Sequence, residues 1–225
     1  MYKVLKFDLA RNAIRYLVRT YKIKEIKIPY YLCDAVRHTL VAEGCRPLFY
    51  HIDDNFYPAE EFSEEKFILY PNYWGVCSAN VQKLVEKYPR LIVDNAHAYF
   101  DEPQGFACFN AGHKFGFETS YLYLKSNNKF PMEDIIIDER IKNIRKQKFI
   151  ILHNKYKAHN LLNIDLNSNP FCYPCLVDTA ANADTLVEEL NKQGLTIYRY
   201  WNFLPKNFNE YKFYSRLVPI PIMTN

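Results

Sequence analysis

RLIVDNAHAYFDEPQGFACFNAGHKFG (Arg90–Gly116) places an apolar run, an acid, a histidine and a glycine-flanked lysine in one short span. Leu91–Val93 is continuously apolar, the pattern of a strand buried on both faces of a parallel sheet. The run ends on Asp94, and His97 follows three residues later. "FACFN" reads as a second short strand, and Gly112, Lys114 and Gly116 mark a turn after it. "SYLYLK" is a further strand beyond that turn.

Working outward, the same alternation continues. "DLARNAIRYLVRTY" repeats apolar residues at Leu9, Ala13, Ile14, Leu17 and Val18, so the spacing predicts a helix with Asp8 suited to its N-cap. "EIKIPYYLC" is a strand that ends at Pro29. "CDAVRHTLVAEG" is a helix from Asp34, stopped by Gly44. "RPLFYHID" and "EKFILYPNYWG" are strands, and "SANVQKLVEKYP" is a helix. Strands alternating with helices predict an α/β fold with a mostly parallel sheet. In such sheets ligands sit beyond the carboxyl ends of the strands. Tyr30–Tyr31, Asn72–Tyr73–Trp74 and Asp94 fall at such ends. The Asn72–Tyr73–Trp74 cluster reads equally as core packing or as the rim of a substrate site.

The pattern changes after Pro131. Asp138–Leu162 reads as one long helix. A strand "FCYPCLV", a helix "NADTLVEELNKQG", a strand "TIYRYW" and a strand "RLVPIPI" follow. Residues 1–135 are therefore expected to form a large domain, and residues 136–225 a small α+β domain.

Composition narrows the function classes. Apolar residues make up 49% of the chain, which supports a buried core and excludes a disordered chain. The net charge of +4 comes without a dense basic stripe, which argues against nucleic acid. The most basic stretch, "DERIKNIRKQKF", alternates with Ile and reads as the solvated face of a helix. No apolar run is long enough to span a bilayer, and the opening residues do not read as a secretion signal. The six cysteines sit mostly in apolar segments, as free thiols of a cytoplasmic protein would. Cys172 and Cys175 have C-x-x-C spacing. They lie on a strand, where positions three apart face opposite ways, so no metal is expected there. With only 6 glycines, neither a P-loop nor a G-x-G-x-x-G site is present.

The chemistry follows from three residues. A lysine in a close-packed, partly dry turn has a lowered pKa, and its neutral amine is a nucleophile for aldehydes. An acid at the end of a buried strand needs a cationic partner, and a protonated pyridine nitrogen is one. His97 can lie over such a ring. Each also has an ordinary reading: a surface lysine, a turn-capping acid, a structural histidine.

"DLARNAIRYLV", "KIPYYLCDAVRHTLVAEGCRPLFYHIDDNFYP", "LYPNYWG", "LIVDNAHAYF" and "FNAGHKFG" are similar, in order and rough spacing, to the DegT/DnrJ/EryC1/StrS sugar aminotransferases. These are fold-type-I pyridoxal-phosphate enzymes. The resemblance implies a pyridoxal 5'-phosphate cofactor, with Lys114 as the Schiff-base lysine, Asp94 at the pyridine nitrogen and His97 against the ring. It implies Arg11, Asn12 and Asn110 at the phosphate, and Tyr31 or Cys33 facing the ring. Tyr73, Trp74, Arg199 and Tyr200 become substrate contacts. The implied reaction moves an amino group, from glutamate, to a nucleotide-linked keto sugar, in a homodimer. The chain departs from the family in being shorter before Asp138. It also has Ala10 where a glycine is usual, no serine shortly before Lys114, no aromatic at Cys33, and Glu118, Thr119 and Ser120 where glycines are usual. These departures support a second expectation, a non-catalytic relative that binds a nucleotide-sugar or a partner protein.

Overall fold

The computed structural model describes residues 1–127 and 138–222. The expected boundary at residue 135 lies outside the described residues. The first part is built from β1 (Tyr2–Phe7), α1 (Ala10–Tyr21), β2 (Glu25–Pro29), α2 (Asp34–Ala42), β3 (Arg46–Tyr50) and β4 (Ile68–Pro71). It continues with α3 (Ser78–Lys87), β5 (Leu91–Asn95), β6 (Ala107–Asn110) and β7 (Ser120–Lys125). The seven strands lie in the order β1-β7-β6-β5-β4-β2-β3. The pairs β2–β3, β2–β4, β4–β5 and β5–β6 are parallel, while β7 runs antiparallel to β6 and to β1. The chain is thus α/β with a mostly parallel sheet.

Period-two alternation sends the central strands to two cores. Leu69, Ile92, Phe109 and Leu122 pack under α1 and α2 with Ala13, Ile14, Leu17, Val36 and Leu40. Tyr70, Val93, Cys108 and Tyr123 face the other way, toward Val81 and Leu84 of α3 and toward Leu204, Phe213 and Leu217 near the C-terminus. All five residues of β5 are buried, as its continuous apolar run requires.

The C-terminal part holds α4 (Glu139–Tyr156), β8 (Cys172–Leu176), α5 (Ala180–Lys192), α6 (Tyr211–Arg216) and β9 (Leu217–Pro221). Strands β8 and β9 pair antiparallel as a two-stranded sheet. Its own core gathers Phe149, Tyr173, Cys175, Ala183, Leu190, Val218 and Ile220. Cys172 instead packs with the large sheet's core, so the two cysteines of the C-x-x-C do face different ways.

Several local expectations change. Strand β1 precedes the first helix; its Lys3 and Lys6 and half-buried edge position hide it from apolar-run reading. Leu9, not Asp8, occupies the α1 N-cap; the Asp8 carboxylate accepts from Leu9 N at 2.8 Å and Asn12 Nδ2 at 2.5 Å. The long helix ends at Tyr156 and passes into a 3-10 turn at Lys157–His159. Its basic stretch is not wholly solvated: Arg145 and Phe149 are buried. "TIYRYW" forms no strand, because Arg199 pairs with Asp184 of α5 while the Tyr200 and Trp201 rings turn toward His97.

One glycine fixes the floor of the site. Gly75 has φ +81°, and a Cβ there would lie 2.2 Å from the His97 carbonyl oxygen. Both the left-handed backbone and the backbone-to-backbone approach demand glycine. Gly75→Ala should cost on the order of 3 kcal/mol, from strain plus overpacking. Urea unfolding measures this, and a loss below about 0.5 kcal/mol would contradict the packing described.

Candidate active site

A cavity of about 230 Å³ opens at the carboxyl ends of the parallel strands, between Pro71 and Asp94 on one side and the starts of α1 and α2 on the other. This is where a parallel sheet leaves space, since each strand there turns away into a loop or helix. Asp94, His97, Lys114, Arg11 and Cys33 all line it.

Asp94, one residue before the end of β5, has 8% of its surface exposed. Its carboxylate accepts one hydrogen bond, from Ala96 N at 2.8 Å. Burial pushes the carboxyl up to about 6; the Ala96 bond and the Lys114 charge oppose that. It is an acid held in a dry place with no cation at hydrogen-bond distance among the described residues.

Lys114 sits in the 3-10 turn Gly112–Phe115. The turn is pinned because Gly112 N donates to Ser120 Oγ at 3.2 Å. A Cβ on Gly112 would meet the Thr119 carbonyl oxygen at 2.1 Å. Burial lowers the Lys114 amine from its ordinary value, with Asp94 opposing. Lys114 Nζ lies 2.7 Å from His97 Nε2 and 5.4 Å from the centre of the Phe171 ring.

His97 is held by rings. Trp74 and Phe171 each stack on it at 5.2 Å and 14°. Trp201 lies 5.9 Å away at 11°, and Tyr200 meets it edge-on. Burial pushes the imidazole well below its ordinary value, and the Lys114 charge pushes the same way. Trp74 and Trp201 adopt φ values of 57° and 62°. Such backbone costs about 1–3 kcal/mol in a non-glycine residue and persists where packing over-determines it. Behind Phe171, the buried Arg145 guanidinium donates to the carbonyls of Pro170, Phe171 and Ile222 and stacks over Phe115.

The end of the cavity near α1 is basic. Arg11 lies in the first turn of α1, where no acidic residue and no side-chain cap is present. His113 faces the same cavity; burial lowers it, and Lys114 and Arg11 add to the effect. Unpaired N–H groups at a helix start favour an anion there.

The remaining candidates lie elsewhere. Asn12 bonds to Asp8 and Arg15 on the outer side of α1. Asn110 is buried and accepts from Tyr121 N at 2.7 Å, so its side chain braces the β6–β7 connection. Tyr31 is buried against Tyr73, Trp201 and Phe213, and its carbonyl accepts from the Tyr73 hydroxyl. Tyr73 and Trp74 are fully buried, so neither is a rim residue. Arg199 is tied to Asp184. Two residues not foreseen line or flank the cavity, His113 and Phe171, and Asn72, marked in the sequence at a strand end, lines it as well. Asn72 Nδ2 donates to Asp101 Oδ2 at 3.1 Å and to Ser78 Oγ at 3.2 Å, and its Oδ1 accepts from Cys77 N. That network holds the loop after β4 beside Asp94. No helix among the described residues is long and apolar enough to cross a membrane. No group of three or more His, Cys, Asp or Glu side chains among them is arranged to hold a metal ion.

No protein-family model matches the sequence, and no curated protein matches it either. Solved structures do match. A Streptococcus pneumoniae protein named as a sugar aminotransferase, Spr1654, in its PLP form, superposes with a TM-score of 0.74 at 15% identity, over 99% of this chain and 82% of that one. Helicobacter pylori PseC, an aminotransferase involved in the biosynthesis of pseudoaminic acid, gives 0.72 at 17%, over 97% and 81%. The sugar aminotransferase CalS13 of Micromonospora echinospora gives 0.69 at 13%, over 97% and 82%. Across nearly its whole length, this chain has the fold of the fold-type-I aminotransferases.

Proposed function

We propose that the chain is a pyridoxal-phosphate-dependent aminotransferase that moves an amino group from glutamate to a nucleotide-linked keto sugar, as a cytoplasmic homodimer. One observation carries the reading: a buried acid, a lysine and a stacked histidine converge on one cavity at the carboxyl ends of the sheet. The residues fit the cofactor chemically. Asp94 lacks a cation that a protonated pyridine nitrogen would supply. Arg11, His113 and the start of α1 suit a phosphate. Lys114 offers an amine to an aldehyde. Bound there, pyridoxal phosphate supplies an electron sink next to the substrate carbon.

The chain's own residues then have defined tasks. Asp94 holds a proton at the ring nitrogen by staying ionised beside it. His97, fixed by its ring contacts, orients the cofactor plane. Lys114 Nζ takes a proton from one side of the reacting centre and returns it on the other. Tyr200 and Trp201 shield the site from water. Cys33 faces the cavity at the start of α2, in the place the family gives to an aromatic. Of the four expected substrate contacts, Tyr200 is retained; Tyr73, Trp74 and Arg199 hold the fold.

Both tryptophans of the chain pack on His97. Pyridoxal phosphate should therefore quench the intrinsic fluorescence saturably, and a flat titration would contradict the reading. A second reading has its own support. Asn110 does not line the cavity and so does not take the place of the missing phosphate-binding serine, while Ala10 brings a Cβ to the start of α1. A non-catalytic binder of nucleotide-sugars would show the quench with the sugar nucleotide alone.

A further inference from the structure

The serine missing before Lys114 has no hydroxyl stand-in. Among the described residues that line the cavity there is no serine, threonine or tyrosine. Asn72 is committed to Asp101, Ser78 and Cys77 N, and Lys114 Nζ stands against His97. At the α1 end this leaves Arg11 and His113 as the side chains whose nitrogens can donate to an anion. His113 is exposed to solvent on its outer side, so protons reach it freely. It is also close enough to Arg11 and Lys114 to feel both charges.

We propose that His113 takes the place of the missing serine, binding the cofactor's phosphate monoester as an imidazolium that picks up a proton from solvent as the phosphate enters. The inference rests on the proposed function, with the phosphate end of the cofactor beside α1. A phosphate monoester carries a charge of about −1.5 to −2 at pH 7. Arg11 offers one positive charge, and the first turn of α1 adds about half of one. A proton on His113 makes up the rest. It also turns a neutral donor into a charge-assisted one, which is shorter and stronger.

Without an anion, the same surroundings oppose that charge. Burial, then Lys114 in its own turn and Arg11 on α1, hold the His113 imidazole below its ordinary value. Across the cavity stand Cys33 at the start of α2, Asp94 of β5 and His97 just after it. Asp8 lies near enough to Arg11 to feel its charge. A bound phosphate reverses the sign of the local field, so the ring holds a proton more tightly with the phosphate than without it. Binding therefore takes up a proton, and it strengthens as pH falls through the value the ring has in the complex. Glutamine at this position keeps a hydrogen-bond donor but takes no proton. Arginine carries the charge at every pH.

The test uses the full chain, treated with hydroxylamine to clear bound carbonyl compounds and dialysed. The probe is pyridoxine 5'-phosphate, which has the ring and the phosphate but no aldehyde, so Lys114 forms no covalent bond to it. Calorimetric titrations in buffers of different ionisation enthalpy give the affinity and the number of protons taken up. The native chain should bind about tenfold more tightly than His113→Gln at pH 6.5, one pKa unit of stabilised imidazolium, and within about twofold of it at pH 8.5. At pH 7 it should take up about half a proton more than His113→Gln, or somewhat above that. His113→Arg should bind tightly at both pH values without the extra proton. Equal proton uptake in the native chain and His113→Gln, a loss of affinity in His113→Gln that is the same at both pH values, or no binding by the native chain would overturn the proposal. Borohydride trapping of pyridoxal phosphate is scored separately. A label on Lys114 without a His113-dependent proton would leave the proposed function standing and remove this inference. A His113-dependent proton without a label would leave the phosphate site standing and remove the aminotransferase reading.

Discussion

Lys114→Ala should leave a folded protein that takes up no borohydride-stable pyridoxyl label and transfers no amino group. Nothing nearby can substitute. Among the described residues Lys114 is the one lysine lining the cavity. Proton transfer by a positioned amine is worth about 10²–10⁴-fold in rate, before the loss of covalent attachment is counted. The substitution also removes the charge that holds the Asp94 carboxyl down, so that group should titrate above its present value of about 6. Turnover retained within about tenfold of the native rate would move the chemistry elsewhere.

Asp94→Asn should split stability from function. The Asp94 carboxyl is raised from 3.8 to about 6 by burial. The folded state therefore binds the proton more tightly than the unfolded one. Stability from this group is full below about pH 4 and falls as pH rises through 6. Above that, the ionised carboxylate costs the ligand-free protein about 3 kcal/mol. Asparagine keeps the acceptor for Ala96 N and carries no charge, so the variant should resist urea better at pH 8 and behave like the native chain near pH 4. The same change removes the anion that pairs with a ring nitrogen, and turnover should fall by about a hundredfold or more. A variant less stable at pH 8 would mean that Asp94 already has a cationic partner in the fold.

The sequence exposed the site's skeleton because each part carries a local mark. The Leu91–Val93 run had to be a buried strand, and the acid that follows it, Asp94, had to sit near the strand's carboxyl end. Glycines bracketed the Lys114 turn, and one of them tolerates no Cβ. What escaped notice depends on distant or angular facts. Whether Arg11 or Asn12 faces the cavity turns on about 100° of helix rotation, and Asn12 went to the outer side. Asn110 lies outside the cavity lining, its oxygen accepting from Tyr121 N eleven residues on, and that placement depends on the turn between β6 and β7 rather than on any local pattern. Phe171 reaches His97 across a long loop of sequence, and no periodicity marks it. The edge strand β1 and the short α6 lack an apolar run or period that would separate them from loop. Burial of Trp74 beneath Trp201 could not be read from a strand-end cluster that fitted core or rim equally well.

The most direct test of the central claim is to mix the purified chain with pyridoxal phosphate, record the absorbance near the visible edge, reduce with borohydride and map the modified peptide. A new band and a single pyridoxyl label on Lys114 are expected. A protein that stays colourless, or a label spread over exposed lysines with Lys114 unmodified, would contradict it.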